Sequence, residues 1–214
     1  MIDGKRAFDL LWTVPGLILL SPLFLFIAAA IKWNDRGPVL FRQERVGQGG
    51  RPFRICKFRT MVVNAEQIGA SLTVGDRDPR ITTVGYWLRR YKLDELPQLV
   101  NVVRGEMSLV GPRPEVPRYV ALYDPQQQAV LALRPGITDP ASIKYRNESE
   151  ILAQCEDPEE TYVRQIMPDK IGINLAYARQ ATRWSDLRVI LTTLFGSSGD
   201  DPSSSNRPLT KREP

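Results

Sequence analysis

An apolar stretch from Phe8 to Ile31 constrains the fold of this chain more than any other feature, because Asp9 is its one charged residue. A helix of about 20 mainly apolar residues is long enough to cross the hydrocarbon core of a bilayer. A cleaved signal peptide is a second explanation, since Ala28 to Ala30 resemble a cleavage site. The apolar run, however, is longer than the core of a typical signal peptide. The stretch therefore predicts a helix that stays in the membrane.

Ser21 and Pro22 lie in the middle of this stretch and predict a break in the helix. Pro22 has no N–H group, and its ring clashes with the carbonyl of Ile18. Lipid offers no water to that carbonyl, but the Ser21 hydroxyl can donate a hydrogen bond to it. The pattern fits a kinked spanning helix and also a re-entrant helix that returns to the side from which it entered.

Positive charges flank the apolar stretch at both ends. Lys5 and Arg6 precede it, and Lys32 and Arg36 follow it. Cationic flanks prefer the cytoplasmic side of a membrane. A simple span must export one of these flanks, whereas a re-entrant helix exports neither, so the charges favour re-entry.

The composition limits the chemistry that the chain can perform. It contains 29 lysines and arginines, 24 aspartates and glutamates and no histidine, and its formal net charge is +5. The lack of histidine excludes histidine acid–base catalysis, Ser-His triads and histidine-containing zinc sites. The basic balance indicates anionic partners such as phosphates or a lipid surface, whereas no reader motif supports nucleic-acid binding. Cys56 and Cys155 lack CxxC spacing and predict reduced thiols.

A basic β-hairpin is predicted after the apolar stretch. Apolar and polar residues alternate from Phe53 to Phe58, as in a half-buried strand, and a strand from Val39 to Val46 precedes the glycine-rich loop Gly47 to Gly50. Arginine forks can bind phosphate oxygens in bidentate fashion, so these cations fit a phosphate cradle as well as a solvated, lipid-facing patch. The cations on or near the hairpin are Arg42, Arg45, Arg51, Arg54, Lys57 and Arg59.

Two adjacent acids, Asp94 and Glu95, follow the cationic residues Arg89, Arg90 and Lys92. Acids at the start of a helix are favourable to the helix dipole, and this explains them without any function. Further along the chain, Pro112 and Pro114 fix the backbone on both sides of Arg113. Such stiffness is expected where a cation must be held in place before a ligand arrives.

Two helices are predicted in the remaining chain. One ends the segment Ile81 to Tyr91, with Leu88 and Tyr91 facing inward. The other runs from Leu175 to Phe195, and its apolar stripe fits a buried core helix or, alternatively, a helix at a membrane interface. From Gly196 onward the chain is rich in Gly, Ser, Asp and Pro, which predicts a disordered tail.

Several short motifs occur in a fixed order along the chain, and together they resemble one family, the bacterial sugar transferases, which are small monotopic polyprenyl-phosphate sugar-1-phosphate transferases. Each motif is weak by itself, but the ordered set is specific. The motifs are Lys5–Asp9, Ser21–Phe24, Gly37–Gly47, Lys57–Met61, Asp78–Thr82, Leu93–Gln98, Ser108–Pro114 and Arg134–Thr138.

The resemblance implies an α+β fold in three parts. A re-entrant membrane helix with a break (residues 1–36) precedes a small cytoplasmic domain of mixed helices with a short β-hairpin (residues 37–195), and a disordered tail (residues 196–214) follows. It also implies an enzyme that moves a sugar-1-phosphate from a UDP-sugar to polyprenyl (undecaprenyl) phosphate and releases UMP. Its partners are then the donor, the acceptor and the bilayer, and its place is the cytoplasmic face of the bacterial inner membrane, where it begins glycoconjugate synthesis.

The resemblance also assigns roles to individual residues. Asp94 is the expected nucleophile, which forms an aspartyl-phosphosugar intermediate, and Glu95 is the expected ligand of a Mg²⁺ cofactor. Adjacent carboxylates resist ionising together unless a cation lies between them, and phosphoryl transfer needs a metal clamp and neutralised oxygens. The expected phosphate binders are Lys57, Arg59, Arg80, Arg89 and Arg113.

Some questions stay open at the level of sequence. A rival hypothesis is a non-catalytic, membrane-anchored protein that binds anionic lipids or partners through its basic patch, but it leaves the paired acids unexplained. Asp139 to Ser142 stand where the family commonly has a Gly-Trp-Ala-Gln-like stretch, and Asn174 to Tyr177 depart from its frequent Asp-x-x-Tyr. The sugar, the glycan pathway and the formation of a homodimer are therefore undetermined.

Overall fold

The computed structural model describes residues 4–65 and 78–196 and has an α+β architecture, which confirms the predicted fold class at this level. The predicted tail falls outside these residues, apart from Gly196. The helices are α1 (Gly4–Asp35), α2 (Thr83–Arg90), α3 (Gln98–Arg104), α4 (Pro117–Val120), α5 (Pro140–Lys144), α6 (Glu148–Ala153), α7 (Pro158–Thr161), α8 (Met167–Gln180) and α9 (Arg183–Phe195). The strands are β1 (Leu40–Val46), β2 (Pro52–Phe58), β3 (Ser108–Val110) and β4 (Gly136–Thr138).

Helix α1 contains the whole apolar stretch, and within the described ranges it alone is long and apolar enough to cross a membrane. The Ser21 hydroxyl donates a hydrogen bond to the Ile18 carbonyl at 2.8 Å, so the predicted compensation for Pro22 is confirmed. The backbone stays helical through Pro22, and the segments before and after it belong to one element. Re-entry into the membrane stays a prediction.

The amino-terminal turns of α1 are tied to the folded domain by the polar side chains of Lys5, Asp9 and Arg6, the last of which donates to the carbonyls of Val102 and Val103. Lys5 Nζ lies 2.6 Å from Asp186 Oδ2 on α9. The fully buried carboxylate of Asp9 accepts hydrogen bonds from Ser108 Oγ at 3.0 Å and from the Leu109 N–H at 3.1 Å. These bonds join α1 to the start of β3.

The carboxy-terminal turns of α1 pack on another part of the same domain. Ile27 and Ile31 form a buried cluster with Phe58 of β2 and Leu88 of α2. Leu88 therefore faces inward as predicted, whereas Tyr91 is 63% exposed and the prediction of its burial is wrong. Tyr91 follows the last turn of α2, beyond the face that packs on α1. Both ends of α1 thus contact the domain.

Strands β1 and β2 form the predicted hairpin. They pair antiparallel, with Leu40 opposite Phe58 and Val46 opposite Pro52. The connecting turn places Gly49 at φ +68° and Gly50 at φ +75°, a region that is accessible to glycine at little cost. The hairpin carries Lys57 toward its open end, close to α3 and the acidic turn before it.

Strands β3 and β4 pair in parallel, with Ser108 opposite Gly136 and Val110 opposite Thr138. The two backbones approach so closely that a Cβ on Gly136 would lie 2.1 Å from the Gly111 nitrogen. The pair therefore requires glycine here. Because parallel strands end at the same edge, the segments that follow them start side by side.

The carboxy-terminal half of the domain surrounds a separate apolar core. The predicted helix from Leu175 to Phe195 is two helices in the structure: α8 ends at Gln180 and α9 begins at Arg183. Thr182 caps α9 in a capping box with Ser185, which is a strong local signal for a new helix start. The core residues are Tyr119, Tyr123, Val130, Leu152, Tyr162, Ile166, Met167 and Ile171.

Candidate active site

The adjacent acids lie in a tight turn between α2 and α3. Lys92 takes a left-handed backbone conformation with φ +53°, and a 3₁₀ turn then runs from Leu93 to Glu95. Pro97 is the N-cap residue of α3. The turn places both carboxylates toward β2 and the segment after β3. A favourable interaction with the helix dipole therefore does not explain why the two acids face these segments.

Glu95 is held by two cations that are distant in the sequence. Its Oε1 accepts a hydrogen bond from Lys57 Nζ at 3.0 Å and another from Arg113 Nη2 at 2.5 Å. Arg113 Nη1 lies 3.3 Å from the second oxygen of Glu95, so the contact is a two-pronged fork. The Glu95 and Lys57 side chains are only 16% and 17% exposed. This group, Lys57, Asp94, Glu95 and Arg113, is called the acid–cation cluster below.

The surroundings shift the pKa values of the two acids of the acid–cation cluster in opposite directions. Burial raises the pKa of Asp94; the Lys57 charge opposes this shift and the Glu95 charge adds to it. Burial alone raises the pKa of Glu95 as well, but the charges of Arg113 and Lys57 hold that pKa well below its ordinary value. The surroundings thus favour the ionised form of Glu95 and disfavour the ionised form of Asp94.

The cations respond to the same environment. Burial lowers the pKa of Lys57, and the Glu95 charge opposes that shift. The Glu95 charge raises the pKa of Arg113. Arg113 remains a fixed cation, and an incoming phosphate group can replace Glu95 as its partner without any change in protonation.

The structure places the other predicted phosphate binders differently. Arg59 forks onto both carboxylate oxygens of Asp35 at the end of α1 and donates to the carbonyl of Pro38 at 2.6 Å. Arg80 forks onto Asp78. Arg89 lies in the last turn of α2, and its charge is one of those that oppose the rise that burial causes in the pKa of Asp94. Lys57 and Arg113 meet the acids directly, and the phosphate-binding roles themselves stay predictions.

Three residues near the cluster were missing from the predicted site. The charge of Asp139, which caps α5 just after β4, acts on Arg113, and the charge of Arg146 acts on Lys92. Arg45 donates to the Pro114 carbonyl at 3.0 Å and so braces the segment that carries Arg113. Of these, Arg45 had a sequence signal because it belongs to the basic hairpin, and Asp139 begins the stretch that departs from the family pattern.

The acids can contribute to a magnesium site but cannot form one alone. Within residues 4–65 and 78–196, no group of three or more His, Cys, Asp or Glu side chains is arranged to hold a metal ion. Mg²⁺ commonly keeps several waters and is held by one or two carboxylates together with substrate phosphates. The pair of Asp94 and Glu95 beside the cations Lys57 and Arg113 fits such a shared site.

Fold and site together define a class of protein: a small α+β domain that carries an apolar amino-terminal helix and a site of two adjacent acids surrounded by cations. The family follows from comparison with known sequences. Residues 2–198 match the model of the bacterial sugar transferases, so the chain belongs to that family.

Characterised relatives cover most of the chain. An undecaprenyl-phosphate glucose phosphotransferase of Komagataeibacter xylinus is 41% identical over 89% of the chain and 35% of its own length. An N-acetylgalactosaminephosphotransferase of Aeromonas hydrophila, which is named for UDP-N-acetylgalactosamine and undecaprenyl phosphate, is 38% identical over 89% of the chain and 42% of its own length. The exopolysaccharide production protein ExoY of Sinorhizobium fredii is 40% identical over 68% of the chain and 70% of its own length. The chain thus spans well under half of the first and second of these proteins.

Proposed function

We propose that this protein transfers a sugar-1-phosphate from a UDP-sugar to polyprenyl phosphate and releases UMP. The observation that carries the proposal is the acid–cation cluster, in which Asp94 and Glu95 are adjacent and Glu95 is bound by Lys57 and Arg113. The proposal is also supported by family membership and by relatives that are named as undecaprenyl-phosphate sugar phosphotransferases. A purely lipid-binding role would not need a carboxylate whose pKa is raised by burial.

The reaction proceeds in two displacements at phosphorus. An oxygen of ionised Asp94 attacks the β-phosphorus of the UDP-sugar, the bond from that phosphorus to the bridging oxygen breaks, and UMP leaves with the electron pair. An oxygen of polyprenyl phosphate then attacks the same phosphorus, and the bond to Asp94 breaks. A carboxylate nucleophile thereby divides one difficult transfer into two easier steps.

Arg113 and Lys57 bind the oxygens of the diphosphate in this scheme. A donor phosphate competes with Glu95 for the guanidinium fork, so binding frees the Glu95 carboxylate. Glu95 would hold Mg²⁺ together with donor oxygens, and the ion would neutralise charge on the donor diphosphate as UMP leaves. Charge neutralisation at fixed positions supplies most of the catalysis that phosphoryl transfer requires.

The acceptor explains the apolar helix. Polyprenyl phosphate keeps its tail in the lipid and its charged head at the interface, where the acid–cation cluster must meet it. A re-entrant α1 at the cytoplasmic face of the inner membrane satisfies this requirement. The contacts of both ends of α1 with one domain support re-entry, because an ordinary span separates its two ends by the bilayer.

Covalent trapping tests the proposed chemistry. Purified protein is incubated with UDP-sugars labelled at the β-phosphate, without acceptor, and protein-bound label is measured before and after hydroxylamine treatment. The expected result is hydroxylamine-sensitive label on the wild-type protein and on the surface control Glu156→Gln, but none on Asp94→Asn. Equal labelling of Asp94→Asn would remove Asp94 from the role of nucleophile.

Cysteine labelling tests the membrane arrangement. Single cysteines replace exposed Ala7 and Trp33, at opposite ends of α1, in a background without Cys56 and Cys155. Re-entry predicts that an impermeant thiol reagent modifies both positions from the cytoplasmic side of inverted vesicles. Modification from opposite sides would establish a simple span.

A further inference from the structure

Asn101 lies within α3, is fully buried, and makes three hydrogen bonds through its carboxamide group. Its Oδ1 accepts a hydrogen bond from the Cys56 N–H at 2.9 Å. Its Nδ2 donates to the Arg54 carbonyl at 2.9 Å and to Glu106 Oε2 at 2.7 Å. The carboxamide therefore joins α3 to β2 and also to the segment that follows α3.

The two bonds to β2 satisfy an edge of the hairpin that β1 does not cover. In the described ranges, β2 pairs with β1 alone, so one edge of β2 has no strand beside it. Backbone groups of alternate residues in a strand point to the same side, and the Arg54 carbonyl and the Cys56 N–H are such a pair. A buried backbone group without a partner costs free energy. The Asn101 carboxamide thus replaces the peptide group that a third strand would supply.

These contacts lie directly beside the acid–cation cluster. Lys57 is the next residue after Cys56, and its Nζ lies 3.0 Å from Glu95 Oε1. Glu95 is in the 3₁₀ turn just before α3, the helix that carries Asn101. The hydrogen bonds of Asn101 therefore join the two backbone segments from which the partners of the Lys57–Glu95 ion pair extend.

The backbone carbonyl of Asn101 has a separate role, at the start of the segment that leads to Arg113. It accepts hydrogen bonds from the N–H groups of Glu106 at 3.0 Å and Met107 at 3.3 Å. Strand β3 begins at the next residue, Ser108, and Arg113 follows that strand. Because these bonds use the backbone, replacing the Asn101 side chain removes the bonds to β2 and to the Glu106 carboxylate only.

We propose that Asn101 is a positioning residue for Lys57. Its carboxamide holds β2 against α3, so that the Lys57 ammonium group stays beside Glu95 and beside the diphosphate of the donor. This inference rests on the proposed function, in which Lys57 binds a diphosphate oxygen. Precise placement matters because a displacement of about 1 Å can lower the rate of a catalysed reaction by about 100-fold.

A double-mutant cycle tests the proposal, with kcat/KM for UMP release as the measurement and the donor that wild-type protein uses best. Asn101→Ala should lower kcat/KM about 30-fold when Lys57 is present. In a Lys57→Met background the further loss should be within about threefold, because the group that Asn101 positions is gone. Leu152→Ala, in the separate carboxy-terminal core, is the matched control for lost stability. It should change kcat/KM by less than about twofold in both backgrounds, at a temperature at which every variant is folded.

Equal losses of kcat/KM in the two backgrounds would overturn the proposal, because Asn101 would then act independently of Lys57. An Asn101→Ala rate equal to that of wild type would overturn it as well. If Asn101→Ala does not fold, Glu106→Ala repeats the cycle. It removes one partner of the carboxamide from a half-buried position and leaves the bonds to β2 possible. Its loss of kcat/KM should be smaller and should again disappear in the Lys57→Met background.

Acetylation of Lys57 separates this inference from the proposed function, because it requires no substrate. Proteins are treated briefly with acetic anhydride, and mass spectrometry compares Lys57, whose side chain is 17% exposed, with Lys144, which is 53% exposed. In Asn101→Ala, Lys57 should be acetylated several times faster than in wild type, whereas Leu152→Ala should match wild type. An unchanged rate in Asn101→Ala, or an equal increase in Leu152→Ala, would overturn the positioning role. Failure of the proposed function looks different: wild-type protein would release no UMP with any donor and acceptor, while the increase in acetylation would persist.

Discussion

Replacing Glu95 should lower the stability of the fold, whereas replacing Asp94 should not. In Glu95→Gln, the contacts of 3.0, 2.5 and 3.3 Å lose their ionic character, and two cations remain without a counter-charge. Breaking a buried ion pair costs about 3–5 kcal/mol. The Arg113 side chain is 35% exposed, so solvent screening reduces the expected loss to about 2 kcal/mol. That loss corresponds to a fall of about 4–8 °C in Tm for a domain of this size.

Asp94→Asn should leave the stability unchanged or raise it. Because burial raises the pKa of Asp94, the fold disfavours its ionised form at neutral pH, and the amide removes that unfavourable charge. Thermal unfolding of detergent-solubilised protein at pH 7, in buffer with a chelator, compares both variants with wild-type protein. A greater loss of stability for Asp94→Asn than for Glu95→Gln would refute the assignment of charges in the cluster.

Three further predictions address the site and its support. Arg113→Lys should lower the rate of UMP release by about 100-fold, because lysine cannot form the fork; a rate within threefold of wild type would show that a point charge suffices. Gly136→Ala should destabilise the protein by about 3 kcal/mol in chemical denaturation, because its Cβ would lie 2.1 Å from the Gly111 nitrogen, whereas Gly16→Ala, with open space around it, should be tolerated. The rate of UMP release should fall as the pH is lowered through the raised pKa of Asp94, so the acid limb of the pH profile should lie above the ordinary aspartate value of 3.8. A rate that stays constant down to pH 4 would contradict an ionised Asp94 nucleophile.

The dependence of stability on pH follows from the same shifts. The folded-state pKa of Glu95 is lowered, so its contribution is present above the unfolded value and is lost as the pH falls through the folded value. The folded-state pKa of Asp94 is raised, so its contribution is present at low pH and is lost as the pH rises through the folded value. Asp94→Asn should therefore gain most, relative to wild type, at neutral pH.

Local patterns determined much of the fold. The apolar stretch is helix α1, and the bond from Ser21 to the Ile18 carbonyl could be deduced from the missing N–H of Pro22. The alternation from Phe53 to Phe58 is β2. Hydrogen bonding and side-chain direction within such elements depend on neighbours in the sequence, so the residues alone suffice. The helix start at Arg183 was also encoded locally, by Thr182 and Ser185, but the apolar stripe across it concealed the signal.

Only the tertiary structure decided which charges meet. Glu95 pairs with Lys57 and Arg113, which are 38 and 18 residues away, whereas Arg59, two residues after Lys57, pairs with Asp35 instead. The residue types alone do not show which of these cations pairs with which acid. The hairpin, the close β3–β4 pair and the packing of α1 determine which of them face the acids.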